Sequence, residues 1–331
     1  MNSNSKIALI CSVLGEGRCG VEDYTLKLYK NYFSLENNME IIFVNNLGDF
    51  LKVLKNINIT MIHVQYPMLA WRKSFTPIIS LVFNKLFFYK KIILTIHEYS
   101  QAHKLRKYII LFLAFLSDHI VYTSIYEKNQ MPKVLNKKSV IIPIGTGISN
   151  TYPRCDNRKL FDVTYFGLLM PNKGLEDFIN IVKNLNTNNL NFAVIGNVVA
   201  GHEMWLDGIR KQYQFISFYT ESSEEKVSQL LQASTLMLLP YPDGISERRG
   251  TFLASLNHSL QVVTTDGGFV TDELKETVHL YSNQCEAVDI IQKLLLSKNF
   301  WISNGVFEKY LAQRSWFSIA KKHSEVYRSL H

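Results

Sequence analysis

Cysteine is scarce, with four in 331 residues. Cys11, Cys19, Cys155 and Cys285 form no C-x-x-C pair and no zinc-ligand spacing. The opening stretch MNSNSKIALI has no signal-peptide pattern, so the four read as reduced cytosolic thiols. No apolar run reaches the roughly 20 residues of a membrane-spanning helix. The longest, YIILFLAFL from Tyr108, stops at Ser117–Asp118. Carboxylates are few: 28 Asp and Glu stand against 36 Lys and Arg, a net charge of +8. A basic excess suits an anionic partner such as nucleic acid, a membrane surface or a phosphorylated substrate, and an ordinary soluble surface can also carry it. Apolar residues are plentiful, at 47% of the chain. That is ample for packed cores, and the length suggests two domains.

Short apolar runs alternate with helical patterns through the first half: KIALIC, EIIFV, TMIHV, KIILTI, HIVYT and SVIIP. They are continuous, as expected of strands buried on both faces of a parallel sheet. Between the first two, Val21, Tyr24, Leu28 and Tyr32 share one helical face. The second half repeats the rhythm with FDVTYFG, NFAVIG, FISFYT, TLMLLP, QVVTT and VHLY. In GLEDFINIVKNL, residues Leu175, Phe178, Ile179, Val182 and Leu185 keep helical spacing. Strand–helix alternation twice over predicts two Rossmann-like, doubly wound α/β domains. The join falls near PIGTGISNTYPRCDNRK, and a closing helix begins near Ser315.

A glycine loop, G-x-G-x-x-G at Gly15, Gly17 and Gly20, follows the first strand and opens the first helix. Such a loop presents bare N–H groups and the positive helix end to an anion. A dinucleotide site also needs a carboxylate near the end of the second strand, and here that strand ends in Asn45 and Asn46. A P-loop needs Lys and Ser or Thr after the last glycine, and here Val21 and Glu22 follow. A dinucleotide-dependent oxidoreductase is therefore disfavoured. A tight turn with no ligand remains the plain alternative.

In the second half, FGLLMPNKGLEDF and LLPYPDGISERRGTFLASLNHSLQVVTTDGG resemble the nucleotide-sugar domain of glycosyltransferase family 4, of GT-B architecture. GRCGVEDYTLKL resembles that family's glycine loop and first helix, and LTIHEYS its strand ending in histidine. VYTSIYEKNQM resembles a following strand and helix, and IPIGTGIS the segment between the domains. The resemblance implies two Rossmann-like domains facing across a cleft. Their expected spans are 1–148 on the acceptor side, 149–314 for the nucleotide sugar, and a helix over 315–331 that can cross back to the first. It implies sugar transfer from a UDP- or GDP-linked donor to a glycan or lipid-linked acceptor, with retention, in surface polysaccharide or glycolipid synthesis. It also implies no cofactor and no bound metal, in keeping with the absence of an Asp-x-Asp pair.

Two departures stand out. The family places an Arg at the position of Leu168 and a Lys at that of Lys173, both on the donor diphosphate. It also carries two glutamates seven residues apart, whose positions fall here on Ser246, with Glu247 beside it, and Ala254. The second holds the donor ribose in the family, so a non-catalytic binding subunit with this fold is the alternative reading.

The turn SERRG offers a replacement for the lost cation. Arg248 and Arg249 stand just before Gly250 and a new helix. Forked guanidiniums and a helix dipole converge there on one anion. Neighbours on a turn diverge, so one Arg is expected on the diphosphate and the other on a carboxylate such as Glu247. Expected donor-binding residues are therefore Lys173, Ser246, Glu247, Arg248, Arg249 and Gly250, with Gly15, Gly17 and Gly20 closing on the diphosphate or sugar. The resemblance gives His97, at the end of IILTI, the catalytic place against the donor sugar. His63 reads as core or cleft lining, and Glu98 has no assigned role. WRKSFTPIISLVFNKLFFYKK and HKLRKYIILFLAFL mix basic and aromatic residues with long apolar stretches. They suit either helices packed on a sheet or a surface on anionic lipid. The expected place is the cytoplasm, with a peripheral seat on the inner face of the plasma membrane as the option that surface opens. Nucleic acid is not expected as a partner.

Overall fold

The computed structural model describes residues 6–12, 20–68, 71, 74–153, 159–185 and 189–330. The chain divides into two compact units. One runs to Gly145 and resumes at Arg314; the other is Thr146–Gln313.

The first unit alternates β1 (Lys6–Cys11), α1 (Gly20–Phe33), β2 (Met39–Phe43), α2 (Leu47–Lys55), β3 (Ile59–Tyr66), α3 (Thr76–Phe83), β4 (Lys91–Ile96), α4 (Lys104–Leu116), β5 (His119–Tyr122), α5 (Ile125–Asn129) and β6 (Ser139–Ile141). The strands form one sheet in the order β2-β1-β3-β4-β5-β6, and every pairing is parallel. The second unit carries β7 (Phe161–Phe166), α6 (Leu175–Lys183), β8 (Phe192–Ile195), α7 (Glu203–Gln212), β9 (Ile216–Tyr219), α8 (Glu224–Gln232), β10 (Ser234–Leu239), α9 (Gly250–Asn257), β11 (Gln261–Thr265), α10 (Asp272–Lys275), β12 (His279–Tyr281), α11 (Gln284–Leu296) and α12 (Asn304–Ala312). Its sheet is also parallel, in the order β12-β11-β10-β7-β8-β9.

Both sheets follow from the continuous apolar runs. In β1 the five residues after Lys6 are all buried, and β8 is buried throughout. A strand covered by helices on both faces has no solvent side, so its sequence does not alternate. Helix starts are marked by side chains that accept orphan N–H groups. Asn46 caps α2, Ser223 caps α8 and Asn283 caps α11.

The last helix, α13 (Trp316–Ser329), is capped by Ser315 and belongs to the first unit. Ile319, Ala320, Val326 and Tyr327 are buried in one cluster with Ile7 and Leu9 of β1 and with Leu28 and Tyr32 of α1. Each large apolar side chain sealed there contributes about 1.5–3 kcal/mol. Gly145 lets the chain pass Trp316, since a Cβ at that position would stand 2.8 Å from the indole ring. Among the described residues no helix is long and apolar enough to cross a membrane.

Candidate active site

In an open parallel sheet, ligands gather outside the carboxyl ends of the strands, where the strand order reverses. In the first unit that point lies between β1 and β3. Gln65 sits near the end of β3, and His97 follows β4 directly. The His97 N–H donates to the Tyr66 carbonyl at 3.0 Å, which holds the backbone on the strand end. Its ring is 7% exposed, and Nε2 lies 2.8 Å from Gln65 Oε1. The Gln65 amide Nε2 in turn lies 3.2 Å from His63 Nε2, which also meets the Thr95 hydroxyl at 2.7 Å. His63 Nδ1 is 2.7 Å from the Tyr327 hydroxyl.

The directions of these bonds assign the tautomers. With the Gln65 amide so placed, its N–H and the Thr95 O–H both donate to His63 Nε2. His63 Nδ1–H then donates to Tyr327, and His97 Nε2–H donates to Gln65. A neutral His97 ring bonded in this way carries its lone pair on Nδ1. The Tyr24 ring meets the His97 ring edge-on at 5.0 Å, and the Tyr24 hydroxyl lies 3.0 Å from His323 Nε2. The turn after His97 is held separately. The buried carboxylate of Glu127 accepts from the N–H groups of Tyr99 and Ser100, each at 2.9 Å, and from the Ser100 hydroxyl at 2.6 Å.

His63 is therefore core, as one of the two expected readings had it, and it belongs to a relay that reaches α13. Burial, and then the neighbouring His323 and His97, push its pKa well below the ordinary histidine range. Burial lowers that of His323 to about 3. Both rings are neutral in the folded protein. The unfolded chain binds more protons than the folded one below an unfolded pKa of about 6.5, so stability is lost as pH falls from there toward 3. The loss is about 1.4 kcal/mol per pH unit for each ring held neutral. Melting curves between neutral pH and pH of about 4.5 should show this slope, and His323→Gln should reduce it. An identical slope in parent and variant would mean that His323 gains its proton without unfolding.

In the second unit the strand order reverses between β7 and β10. The loop after β7 carries the exposed Leu168 and Lys173. The Tyr165 hydroxyl donates to the Lys173 carbonyl at 2.9 Å. Gly174 has φ +97°, and a Cβ there would fall 1.9 Å from the Pro240 carbonyl oxygen. Only glycine permits that backbone and that approach. The Lys173 segment is thus pressed onto the chain leaving β10.

That chain leads into the SERRG turn. Ser246 and Glu247 are each 7% exposed, and the Glu247 carboxylate accepts from the Thr271 hydroxyl at 3.1 Å. Arg249 is the cap residue before α9, which begins at Gly250. Its guanidinium pairs with Asp243 and lies over the Tyr241 ring, 4.5 Å from the centroid. Arg249 Nε is buried with no hydrogen-bond partner among the described residues. The Tyr241 hydroxyl is bonded to Thr251 at 2.7 Å, and burial pushes its pKa up to about 12. Ala254 is fully buried on α9.

The second unit thus gathers Ser246, Glu247, Arg248, Arg249 and Gly250 in one turn, with Lys173 on the loop packed against the strand before it. His97 lies in the first unit. Gly20 opens α1, while Gly15 and Gly17 lie outside the described residues. Gln65, Tyr24, Glu127, Tyr241 and Asp243 escape a reading of the sequence, because their partners lie on other elements or carry no motif.

No protein-family model matches the chain, and no curated protein matches it in sequence. Its fold is that of solved GT-B glycosyltransferases, two doubly wound sheets with a closing helix. It is similar to a glycosyltransferase from Rickettsia africae ESF-5, with a TM-score of 0.76 and 14% identity over 99% of each chain. It is also similar to the sucrose-phosphate synthase of Thermosynechococcus elongatus, with a TM-score of 0.73 and 15% identity over 98% of this chain and 99% of that one. HepE of Anabaena, solved with UDP and glucose, has a TM-score of 0.70 and 12% identity over 98% of this chain and 99% of its own.

Proposed function

We propose that the chain is a glycosyltransferase that moves a sugar from a UDP- or GDP-linked donor to a glycan or lipid-linked acceptor, in surface polysaccharide or glycolipid synthesis. The observation that carries this reading is the turn at the switch point of the second sheet. Two arginines precede the amino end of α9, and Lys173 stands on the adjoining loop. Such a site suits a diphosphate, because forked donors, an ammonium and a helix dipole act on one anion. HepE, with the same fold, is solved with UDP and with UDP-glucose.

In this reading the cations of the second unit stabilise the negative charge that grows on the departing diphosphate. The lack of an Asp-x-Asp pair fits a reaction in which those cations do this without a metal. His97 hydrogen-bonds the reacting sugar, held in place by Gln65, while Glu127 holds the turn that follows it. Retention at the anomeric carbon is proposed with the rest.

A second reading has its own observation. Ala254 is sealed inside α9 where the resembling family has a ribose-binding carboxylate, which suits a subunit that binds donor without turnover. Slow hydrolysis of donor without acceptor favours the enzyme, and nucleotide binding with no turnover favours the subunit.

Thermal-shift measurements test the donor class. UDP or GDP at a hundredfold excess over Kd should stabilise the protein by about 2.7 kcal/mol, a rise of a few degrees in Tm. NAD should give no shift, since β2 ends without a carboxylate for the ribose. A shift with NAD and none with any nucleoside diphosphate would overturn the transferase reading.

A further inference from the structure

We propose that the outer face of α3 and α4 is a seat for an anionic lipid bilayer. Both helices are apolar on two sides. Their inner sides cover the first sheet: Leu81 of α3 and Ile110, Leu113 and Ala114 of α4 are buried in one cluster with Ile92, Leu94 and Ile96 of β4. Their outer sides carry six aromatic rings. Phe75, Phe83 and Phe87 lie along α3 and the π-helical turn that continues it, and are 59%, 40% and 63% exposed. Tyr108, Phe112 and Phe115 lie along α4 and are 71%, 46% and 55% exposed. The helices pack against each other, so the two rows are neighbours. A helix apolar all round is ordinarily buried, and exposed apolar patches of this kind mark interaction sites.

Charge selects the occupant. From Ser74 to Asp118 there are six Lys or Arg and two carboxylates, Glu98 and Asp118, the second of which pairs with Lys85. Lys104, Arg106 and Lys107 fall in the first turn of α4, which has no acidic residue and no side-chain cap. Cations at the positive end of a helix are unfavourable alone, and an anionic surface relieves them. A protein interface core excludes lysine, whereas aromatic rings rimmed by lysine and arginine are the signature of a lipid interface. A second copy of this chain would bring like charges together. The Lys107 ammonium also lies over the Tyr99 ring, 5.5 Å from its centroid and two residues beyond His97. A bilayer seated here borders the edge on which His97 stands, where the chain of a lipid-linked acceptor would arrive.

The test is co-sedimentation of the full chain with vesicles of phosphatidylcholine, alone or mixed with phosphatidylglycerol. Binding to the mixed vesicles should be at least tenfold tighter and should weaken with salt, because screening shortens electrostatic reach to about 8 Å at physiological ionic strength. F87E/Y108E changes two exposed rings and should lose more than tenfold in vesicle affinity while keeping the parent's Tm and UDP-induced shift. Should that pair fail to fold, K104Q/R106Q should lose roughly ten- to thirtyfold at low salt. The proposal fails if the parent does not bind phosphatidylglycerol vesicles at low salt, or if a folded variant binds them like the parent. It fails equally if the chain forms a dimer that F87E/Y108E abolishes while vesicle binding is absent, which would make the face a protein interface. Because the UDP-induced shift is read on the same variants, loss of the membrane seat is distinguishable from loss of the donor site.

Discussion

His97→Ala should lower kcat by about 10²- to 10³-fold and leave the donor Kd within about twofold. A group whose hydrogen bond strengthens as charge develops lowers the barrier without tightening ground-state binding, and removing one such preorganised donor or acceptor costs about that much. The geometry is of that kind. His97 is nearly buried, and its Nε2 is held 2.8 Å from Gln65 Oε1. Gln65→Leu keeps the volume and removes the acceptor. The ring should then rotate or change tautomer, lowering kcat by roughly tenfold and moving the pH–rate profile while KM holds. Single-turnover rates and donor calorimetry on folded variants separate the two effects. A folded His97→Ala enzyme with the parent's kcat would return His97 to a structural role.

The second large effect is expected at the SERRG turn. Arg249 pairs its guanidinium with Asp243 and lies over the Tyr241 ring, so the two neighbouring arginines are expected to be unequal, with Arg248 and Lys173 as the expected phosphate contacts. Charge-assisted bonds to phosphate are each worth about 1.5–3 kcal/mol. Arg248→Ala and Lys173→Ala should each weaken UDP or GDP binding by roughly ten- to a hundredfold. Uridine or guanosine binding should barely change. Arg248→Lys should rescue only in part, because an ammonium cannot make the forked contact. Arg249→Ala should act mainly on the turn, costing about 1 kcal/mol of stability and less in affinity. Calorimetry with diphosphate and nucleoside on each variant decides it. Diphosphate binding at the parent's level in both folded arginine variants would show that the donor lies elsewhere.

The strands were the most legible part of the molecule. KIALIC and KIILTI coincide with β1 and β4, because a strand buried on both faces has no polar alternation to obscure it. The amphipathic face of GLEDFINIVKNL, which forms α6 and the turn after it, was equally plain, and all five of its spaced apolar residues are buried. His63 was not legible as a member of a relay. A lone histidine in an apolar run has no local signal, and its partner Tyr327 is 264 residues away. YIILFLAFL declared a helix but not its orientation, since apolar residues all round leave no pattern to say which side faces out. Glu127 showed no sign of its work, because it clasps backbone N–H groups and those have no residue identity. In SERRG the arginines announced themselves, while Asp243, which fixes one of them, sits in a loop of ordinary turn composition.

The packing of α13 against β1 and α1 also sets the order in which the protein can be made. The first unit leaves the ribosome without Ile319, Ala320 and Tyr327, so its core stays open while the whole of the second unit is synthesised. That interval is about 170 residues, or roughly ten to thirty seconds at ordinary elongation rates. The second unit is contiguous in sequence and can finish first. A nascent chain therefore carries a completed C-proximal unit and an unsealed N-proximal one, with an apolar groove held vacant for a helix not yet translated. During that window the first unit is the natural client of a chaperone.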